Sequence, residues 1–297
     1  MIQRIRGYGG LRSRGTKAIM NNGKAIETAV QSCKQVLRRL RQILYRPQIQ
    51  IRKVSGLVRM GSVYGGWTFL HRPALQGVPI ISAGLGEDAS FDIEFAARYQ
   101  GRVILVDPTP RAITHFKNIC QGFGRAAQES YASNGCQPVA AYDLSSLGES
   151  NFSLVSKALW TGEDQVKFFA PPETSHVSHS ISNYQNSYAR GTPFIEVAST
   201  TVRAIMDEYG LTDLELIKLD IEGAETAVIS NMLESGIFPN QILVEFDELW
   251  LASASSKKKA EACDRALRSH GYECFHWDGK QNFSYARKPL LEQAVPS

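Results

Sequence analysis

The sequence has no run of about 20 consecutive apolar residues, the length that a helix needs to cross a membrane. Arginines occur near the start, but no apolar segment follows them, so a cleaved secretory leader is not expected. With 43% hydrophobic and 21% charged residues among 297, the composition is that of an ordinary globular protein. These absences predict a cytoplasmic protein.

Cysteine is scarce and widely spaced. The five cysteines include no Cys-x-x-Cys pair, which argues against a structural zinc site and against a disulfide framework. We therefore expect free thiols in a reducing compartment.

Acidic residues are nearly missing from the first 60 residues, which carry 14 Lys and Arg against Glu27 alone. Residues 61–297 hold 19 basic and 28 acidic side chains, so an arm of net charge +13 precedes a body of net charge −9. We expect a basic arm over residues 1–60 and one domain over 61–297. The acidic body argues against nucleic acid as a partner. The oligomeric state is left open.

Residues 24–45 of the arm predict a basic amphipathic helix. Apolar residues recur there at helical spacing, with Lys34, Arg38, Arg39 and Arg41 largely off the apolar stripe. Such a helix packs on the body or on a second subunit, or it docks on an anionic membrane surface, a polyanion or an acidic partner. Docking on lipid would make the protein peripheral to a membrane. The apolar residues are Ile26, Ala29, Val30, Cys33, Val36, Leu37, Leu40, Ile43 and Leu44.

Strand and helix patterns alternate from residue 78 onward. Near-continuous apolar strands separated by helices predict an α/β fold with a mostly parallel, doubly wound sheet, and a terminal hairpin adds antiparallel strands. The expected strands are 78–82, 102–106, 153–159, 166–169, 214–219, 241–246, 273–277 and 283–287. The expected helices are 90–99, with Ser90 as N-cap, one from about 111, 202–209, 224–234 and 257–269.

A glycine turn follows the first of these strands. Gly84, Gly86 and Ala89 match the pattern G-x-G-x-x-A, and Asp107 ends the next strand 21 residues beyond Gly86. That spacing suits a carboxylate that accepts hydrogen bonds from ribose hydroxyls. The pattern favours a nucleoside-type ligand over a purely structural turn.

Glu87 and Asp88 discriminate between nucleotides. A dinucleotide places its pyrophosphate over such a turn, where two carboxylates would repel it. S-adenosylmethionine has no phosphate and carries an ammonium and a sulfonium cation. The turn therefore favours a methyl donor, with a nicotinamide-dependent oxidoreductase as the alternative.

Asp220 and Glu222 form the second acidic strand end, in the stretch KLDIEGAE at 218–225. Two carboxylates at one sheet edge can orient a ligand, act as general base on a hydroxyl, or share a divalent cation. The alternative is that acids decorate a helix N-terminus and stabilise its dipole. The sequence alone does not indicate a metal.

The sequence resembles the FkbM-type S-adenosylmethionine-dependent methyltransferases. The resemblance rests on GLGEDASFDIEF (84–95), VDPTP (106–110), ALWTG (158–162), IKLDIEGAE (217–225) and ILVEF (242–246), and covers roughly 75–290. It implies a Rossmann-like fold of the class I methyltransferase architecture and methyl transfer, typically to a hydroxyl of a sugar, glycan or other small molecule. It implies cofactor binding by Gly84, Gly86, Asp88 and Asp107, with Asp220 and Glu222 beside the methyl group and Glu245 nearby. Where many methyltransferases have an acid that grips adenine, this chain has Trp160, so apolar contact is expected there.

Residues 171–193 form a long polar segment without periodicity, which is typical of a lid or binding loop. His176 and His179 lie in this segment. They are interpreted either as solvated side chains or as a base or metal ligand. We expect Asp220 to be the general base, with Glu222 second and His179 third. The remaining alternative is a non-catalytic scaffold that binds through its basic arm.

Overall fold

The computed structural model of the chain describes residues 32–33, 35–171, 179–186 and 189–294. Its helices are α1 (35–44), α2 (Ser90–Tyr99), α3 (Pro110–Gly122), α4 (Val202–Glu208), α5 (Glu225–Glu234), α6 (Ala254–Ser269) and α7 (Lys288–Gln293). Its strands are β1 (Leu57–Met60), β2 (Trp67–Leu70), β3 (Ile80–Ala83), β4 (Val103–Val106), β5 (Phe152–Val155), β6 (Ala158–Leu159), β7 (Gln165–Phe169), β8 (Phe194–Thr200), β9 (Leu216–Leu219), β10 (Gln241–Glu245), β11 (Tyr272–Trp277) and β12 (Asn282–Arg287).

The main sheet has seven strands in the order β11-β12-β10-β9-β3-β4-β5. The five strands from β10 to β5 run parallel, and β12 and β11 extend the sheet by antiparallel pairing. The predicted α/β fold with a mostly parallel sheet and a terminal hairpin is confirmed. Strand order reverses between β3 and β9, because the chain proceeds outward from β3 to β5 and then returns to β9.

Successive residues of the parallel strands face opposite layers. Ile81 and Ile217 join a buried cluster with side chains of α4, α5 and α6. Ile80 and Leu216 join a second cluster with side chains of α2 and α3. Both faces of the sheet are therefore covered, which explains why the strands read as apolar without alternation.

The expected N-cap at Ser90 is wrong. Ala89 occupies the capping position, and Ser90 is the first residue of α2. Asp88 satisfies the helix end instead, because its Oδ1 accepts a hydrogen bond from the Ser90 N–H at 3.0 Å. Ser90 Oγ accepts a hydrogen bond from the Ser62 N–H at 2.7 Å, which connects α2 to the turn between β1 and β2.

The strand expected over 153–159 is two strands in different sheets. β5 is the edge strand of the main sheet, whereas β6 pairs with β8 in a three-stranded sheet of order β6-β8-β7. β8 is missing from the sequence prediction because its residues include Glu196, Ser199 and Thr200 and its first half is largely exposed. Part of the polar segment 171–193 continues this sheet, since Ser180 forms an antiparallel bridge with Phe169.

Helix α1 lies on the body through its polar side. The Arg38 guanidinium lies 3.8 Å from the ring centre of Trp250, and just beyond the end of the helix that of Arg46 lies 4.2 Å from the ring centre of Trp277. Side chains of its apolar stripe, by contrast, are exposed, from 56% at Leu40 to 74% at Ile43. The rest of the helix predicted over 24–45, namely 24–31 and 34, lies outside the described residues.

The expected boundary at residue 60 falls inside a two-stranded sheet, because β1 pairs antiparallel with β2. Over the described ranges, no helix is both long and apolar enough to cross a membrane.

Candidate active site

The reversal of strand order places four loops at one edge of the sheet. Residues that follow β3, β4, β9 and β10 meet there, at the carboxyl ends of parallel strands. In open α/β sheets this is the position where ligands bind. The glycine turn and the acidic strand ends singled out in the sequence all belong to these loops.

Gly84, directly after β3, packs against Asp220, directly after β9. Its φ is +87°, and a Cβ at this position would lie 1.7 Å from the carbonyl oxygen of Asp220. Only glycine can both adopt this angle and allow that approach. Gly84 and Asp220, 136 positions apart in the chain, are thus brought together by backbone packing.

The Asp107 side chain holds the glycine turn in place. Its Oδ2 accepts hydrogen bonds from the N–H groups of Leu85 at 3.1 Å and Gly86 at 2.9 Å. Its Oδ1 accepts from the N–H and hydroxyl of Thr109 at 2.9 and 2.7 Å. Four protein donors therefore occupy a carboxylate that the sequence assigned to ribose, and its role toward a ligand stays a prediction.

Glu87 and Asp88 both have protein partners. Glu87 pairs with the Arg111 guanidinium at 2.5 Å. Asp88 Oδ2 accepts hydrogen bonds from Ser62 Oγ at 2.7 Å and from Gln137 Nε2 at 3.2 Å. These two carboxylates hold neighbouring loops in place, and a part for them in cofactor binding stays a prediction.

Three carboxylates converge beyond β9 and β10. Oxygens of Asp220, Glu222 and Asp247 lie within 4.8 Å of one another. Asp247 is only 4% exposed, whereas Asp220 and Glu222 are partly open to solvent. The Lys218 Nζ lies 3.7 Å from Asp220 Oδ2 and also donates to the Gly84 carbonyl oxygen at 2.6 Å.

The carboxyl groups of this cluster hold protons more tightly than usual. Burial raises the pKa of Asp220, with Lys218 opposing the shift and Asp107 adding to it. Burial also raises the pKa of Glu245 and of Asp247 well above the ordinary range, and the neighbouring carboxylates add to both shifts. Glu245, which was predicted to lie near the cofactor, thus interacts electrostatically with the carboxylates of the cluster. A raised pKa suits a general base that must accept a proton.

Glu225 shapes the turn that carries two of these acids. Its Oε1 accepts hydrogen bonds from the N–H groups of Ile221 and Gly223, each at 3.0 Å. Glu222 lies between them with a φ of +55°, in the left-handed region that a non-glycine residue rarely adopts. Burial raises the pKa of Glu225 to about 7. The third acid of the DIEGAE stretch therefore fixes the loop.

The polar segment after β7 covers Glu222. Ser180 Oγ donates to the Glu222 carbonyl oxygen at 2.7 Å, and Gln185 Nε2 donates to Glu222 Oε2 at 2.8 Å. His179 precedes Ser180 and so lies on the segment that reaches the acidic turn. His176 lies outside the described residues.

Trp160 lies at the end of β6. It is partly buried against the core cluster of α4, α5 and α6, and its backbone N–H donates to the Thr200 carbonyl oxygen at 2.8 Å. An apolar contact from this ring to an adenine stays a prediction.

Tyr64 lies near the acidic cluster, and the sequence prediction did not include it. Its side chain is 65% exposed, yet partial burial raises its pKa to about 12, and the charges of Asp220, Glu245, Glu222 and Asp247 add to the shift. Its turn, GSVYGG at 61–66, is held by Arg59 Nη2, which donates to the Ser62 carbonyl oxygen at 2.6 Å. The glycine-rich turn between β1 and β2 was the signal in the sequence.

A cavity of about 670 Å³ lies elsewhere, between α2 and residues 129–143. Met60, Glu94 and Tyr131 line it, and the acidic strand ends do not. The chemistry of the strand ends, rather than cavity size, marks the candidate site.

Comparison with known proteins identifies a family for most of the chain. A family model described as the methyltransferase FkbM domain matches residues 78–274, about two thirds of the chain. The match starts before β3 and ends within β11, so it includes all four loops of the candidate site. No curated protein matches the chain.

Proposed function

The chain belongs to the FkbM methyltransferase family, and we propose that it methylates a hydroxyl of a sugar, glycan or other small molecule with S-adenosylmethionine as the donor. The strand order of the main sheet, with its reversal between β3 and β9, supports a Rossmann-like fold of the class I methyltransferase architecture. Action in the cytoplasm stays a prediction.

One observation carries the proposal: the glycine turn after β3 touches the acidic end of β9. Gly84 packs directly against the Asp220 backbone, and the Lys218 ammonium lies between the turn and the Asp220 carboxylate. A phosphate-free nucleoside with two cationic groups fits a site that offers both an open backbone and a group of acids. S-adenosylmethionine supplies a methyl group on a sulfonium sulfur.

The residues of the site have separable tasks. Gly84 and Gly86 offer backbone to the cofactor, and the carboxylates beyond β9 and β10 attract its positive groups. Asp220 is partly open to solvent and has a raised pKa, so it can accept the proton of an acceptor hydroxyl. Glu222 is the second choice for this proton and His179 the third. The enzyme otherwise contributes positioning.

The charge argument against a dinucleotide now rests on other residues. Glu87 is neutralised by Arg111, so it repels a pyrophosphate less than the sequence suggested. Asp220, Glu222, Glu245 and Asp247 form a larger group of acids beside the turn. They disfavour the phosphates of a nicotinamide cofactor and favour a cationic ligand.

Calorimetry on the full chain tests the cofactor. We expect S-adenosylmethionine to bind with one site per chain and NADH not to bind. The reverse result would favour an oxidoreductase and would overturn the proposal.

Replacing Asp220 tests the base. We expect Asp220→Asn to lower methyl transfer at least about 100-fold, the usual contribution of a general base, across a panel of sugars and glycans with labelled donor. Asp207→Asn, on the exposed side of α4, is the matched control and should keep full activity. Unchanged turnover in the Asp220 variant would remove Asp220 from the base assignment.

A further inference from the structure

Three carboxyl groups converge in the partly buried cluster beyond β9 and β10. Oxygens of Asp220, Glu222 and Asp247 lie within 4.8 Å of one another. Lys218 reaches Asp220 at 3.7 Å, but its ammonium also donates to the Gly84 carbonyl oxygen. Like charges at this spacing repel strongly in a partly buried site unless a cation joins them.

Asp247 supplies an independent sign of a missing ligand. Its side chain is 4% exposed and borders the Glu225 carboxyl group, and its Oδ2 accepts no hydrogen bond from an N–H or O–H donor among the described residues. A buried carboxylate oxygen without a partner costs several kcal/mol in a folded protein. A carboxylate oxygen of the same residue lies with those of Asp220 and Glu222, so the unsatisfied group belongs to the cluster.

The donor set indicates the type of ion. All three groups are carboxylates, which are the ligands of hard divalent cations rather than of zinc or copper. Oxygens bind such ions at about 2.0–2.6 Å, so ligands on opposite sides of one ion lie about 4–5 Å apart. The separations of 4.8 Å or less fall within that range.

The cluster also leaves room for further ligands. Asp220 is 31% exposed on its side chain, and Glu222 is partly exposed. An ion held by three carboxylates keeps open positions on this side, which face the same edge of the sheet as the glycine turn. A hydroxyl oxygen of an acceptor can fill one of them.

We propose that Asp220, Glu222 and Asp247 bind one hard divalent cation of the Mg²⁺, Mn²⁺ or Ca²⁺ class, which orients the acceptor hydroxyl beside the methyl donor. The binding follows from the cluster alone. The orienting role rests on the proposed function, because it requires a hydroxyl acceptor at this edge.

Metal binding is measured on the full chain after treatment with EDTA and dialysis. Mn²⁺ is titrated and followed by electron paramagnetic resonance, and Mg²⁺ and Ca²⁺ are then added as competitors. We expect one Mn²⁺ per chain, displaced by at least one competitor. Asp247→Asn and Glu222→Gln should each weaken binding about tenfold or more, while Asp207→Asn binds as the unchanged chain does.

One further measurement and a fallback variant make the result decisive. Bound Mn²⁺ should raise the thermal unfolding midpoint of the unchanged chain and of the Asp207→Asn control, because it binds only the folded state. If Asp247→Asn fails to fold, the partly exposed Glu222→Gln carries the comparison. Absence of stoichiometric Mn²⁺, or equal binding in both cluster variants, overturns the proposal.

The cofactor measurement separates the two proposals. A chain that binds S-adenosylmethionine but not Mn²⁺ overturns the metal site and leaves the methyl donor intact. A chain that binds Mn²⁺ in the expected pattern but no S-adenosylmethionine supports the site and overturns the proposed donor.

Discussion

Asp92 lies in the first turn of α2 with its side chain fully buried, and the Ser82 hydroxyl is the hydrogen-bonding group that faces its carboxylate. Burial raises its pKa from 3.8 to about 6, while Lys218 and Ser82 oppose the shift and Asp88 adds to it. A raised pKa in the folded state means that folding favours the protonated acid. Asp92 therefore lowers the free energy of unfolding progressively as the pH rises from 3.8, where the acid ionises in the unfolded chain, to about 6, where it ionises in the folded protein.

We predict a pH-dependent gain from Asp92→Asn. Below pH 3.8 the acid is protonated in both the folded and the unfolded states, so the variant and the unchanged chain should have similar free energies of unfolding. Between pH 3.8 and about 6 the variant should become progressively more stable, up to roughly 3 kcal/mol, because a shift of one pKa unit corresponds to about 1.4 kcal/mol. Urea unfolding at several pH values measures the difference. A difference that stays constant from pH 4 to pH 8 would contradict the prediction.

Residue types at the site were predictable from the sequence, but their partners were not. The sequence predicted that the acids at the four strand ends lie together, because the carboxyl ends of parallel strands lie at the same edge of a sheet. The ion pair of Glu87 with Arg111 joins a loop to a neighbouring helix, and no local sequence pattern predicts such a pair. Asp107 was assigned to ribose by its spacing from Gly86, yet its oxygens meet backbone N–H groups of the turn. The spacing of a carboxylate in the sequence predicts that it lies at the edge of the sheet. It does not predict which group the carboxylate oxygens contact.

At the scale of elements, burial decided what the sequence could reveal. The strands of the main sheet are covered on both faces, so their apolar runs were visible, with ends correct to within a few residues. β8 belongs to the smaller sheet and carries polar residues in a partly exposed setting, so it left no apolar run. Its position next to the polar segment also explains how that segment reaches Glu222.

The packing of β3 against β9 depends on Gly84, and Gly86 provides a matched control. Both glycines have positive φ, +87° and +54°, but a Cβ on Gly86 would meet nothing within 4 Å. We predict that Gly86→Ala costs about 1 kcal/mol, the penalty of a left-handed backbone angle. Gly84→Ala adds a collision with the Asp220 carbonyl oxygen and should cost more than about 4 kcal/mol.

Urea unfolding and calorimetry with S-adenosylmethionine measure both variants. Any folded Gly84→Ala protein should lose cofactor binding, because β3 and β9 must separate at the site. Similar losses of stability in the two variants would show that backbone angle alone, and not the strand contact, explains the glycines.

At the scale of the whole molecule, α1 joins the body in an orientation that the sequence did not indicate. An apolar stripe usually faces the core, yet Arg38 and Arg46 contact Trp250 and Trp277 while the stripe faces outward. Hydrophobic periodicity identifies a helix and its apolar side, but the surface that this side meets depends on the tertiary structure.

The exposed stripe of α1 is suited to a lipid surface. Val36, Leu37, Leu40, Ile43 and Leu44 are 56–74% exposed. At helical spacing, Arg39 and Arg41 flank this stripe on its two sides and are exposed as well. The arm that contains them has 14 basic residues against one acid. An apolar stripe bordered by cations matches the acyl boundary and the anionic headgroups of a membrane.

We therefore predict that the full chain binds vesicles containing anionic phospholipid and does not bind purely zwitterionic ones. Binding should weaken as salt is raised, since the attraction between arginines and headgroups is screened. Replacing Leu40, Ile43 and Leu44 together by Ser should abolish vesicle binding without lowering cofactor affinity, because those side chains face away from the body. Phe238→Ser, at a 39% exposed apolar position on the body, is the control. Vesicle flotation measures binding, and sedimentation tests whether a second copy covers the stripe instead. Self-association that the triple variant removes, without any vesicle binding, would overturn the lipid prediction.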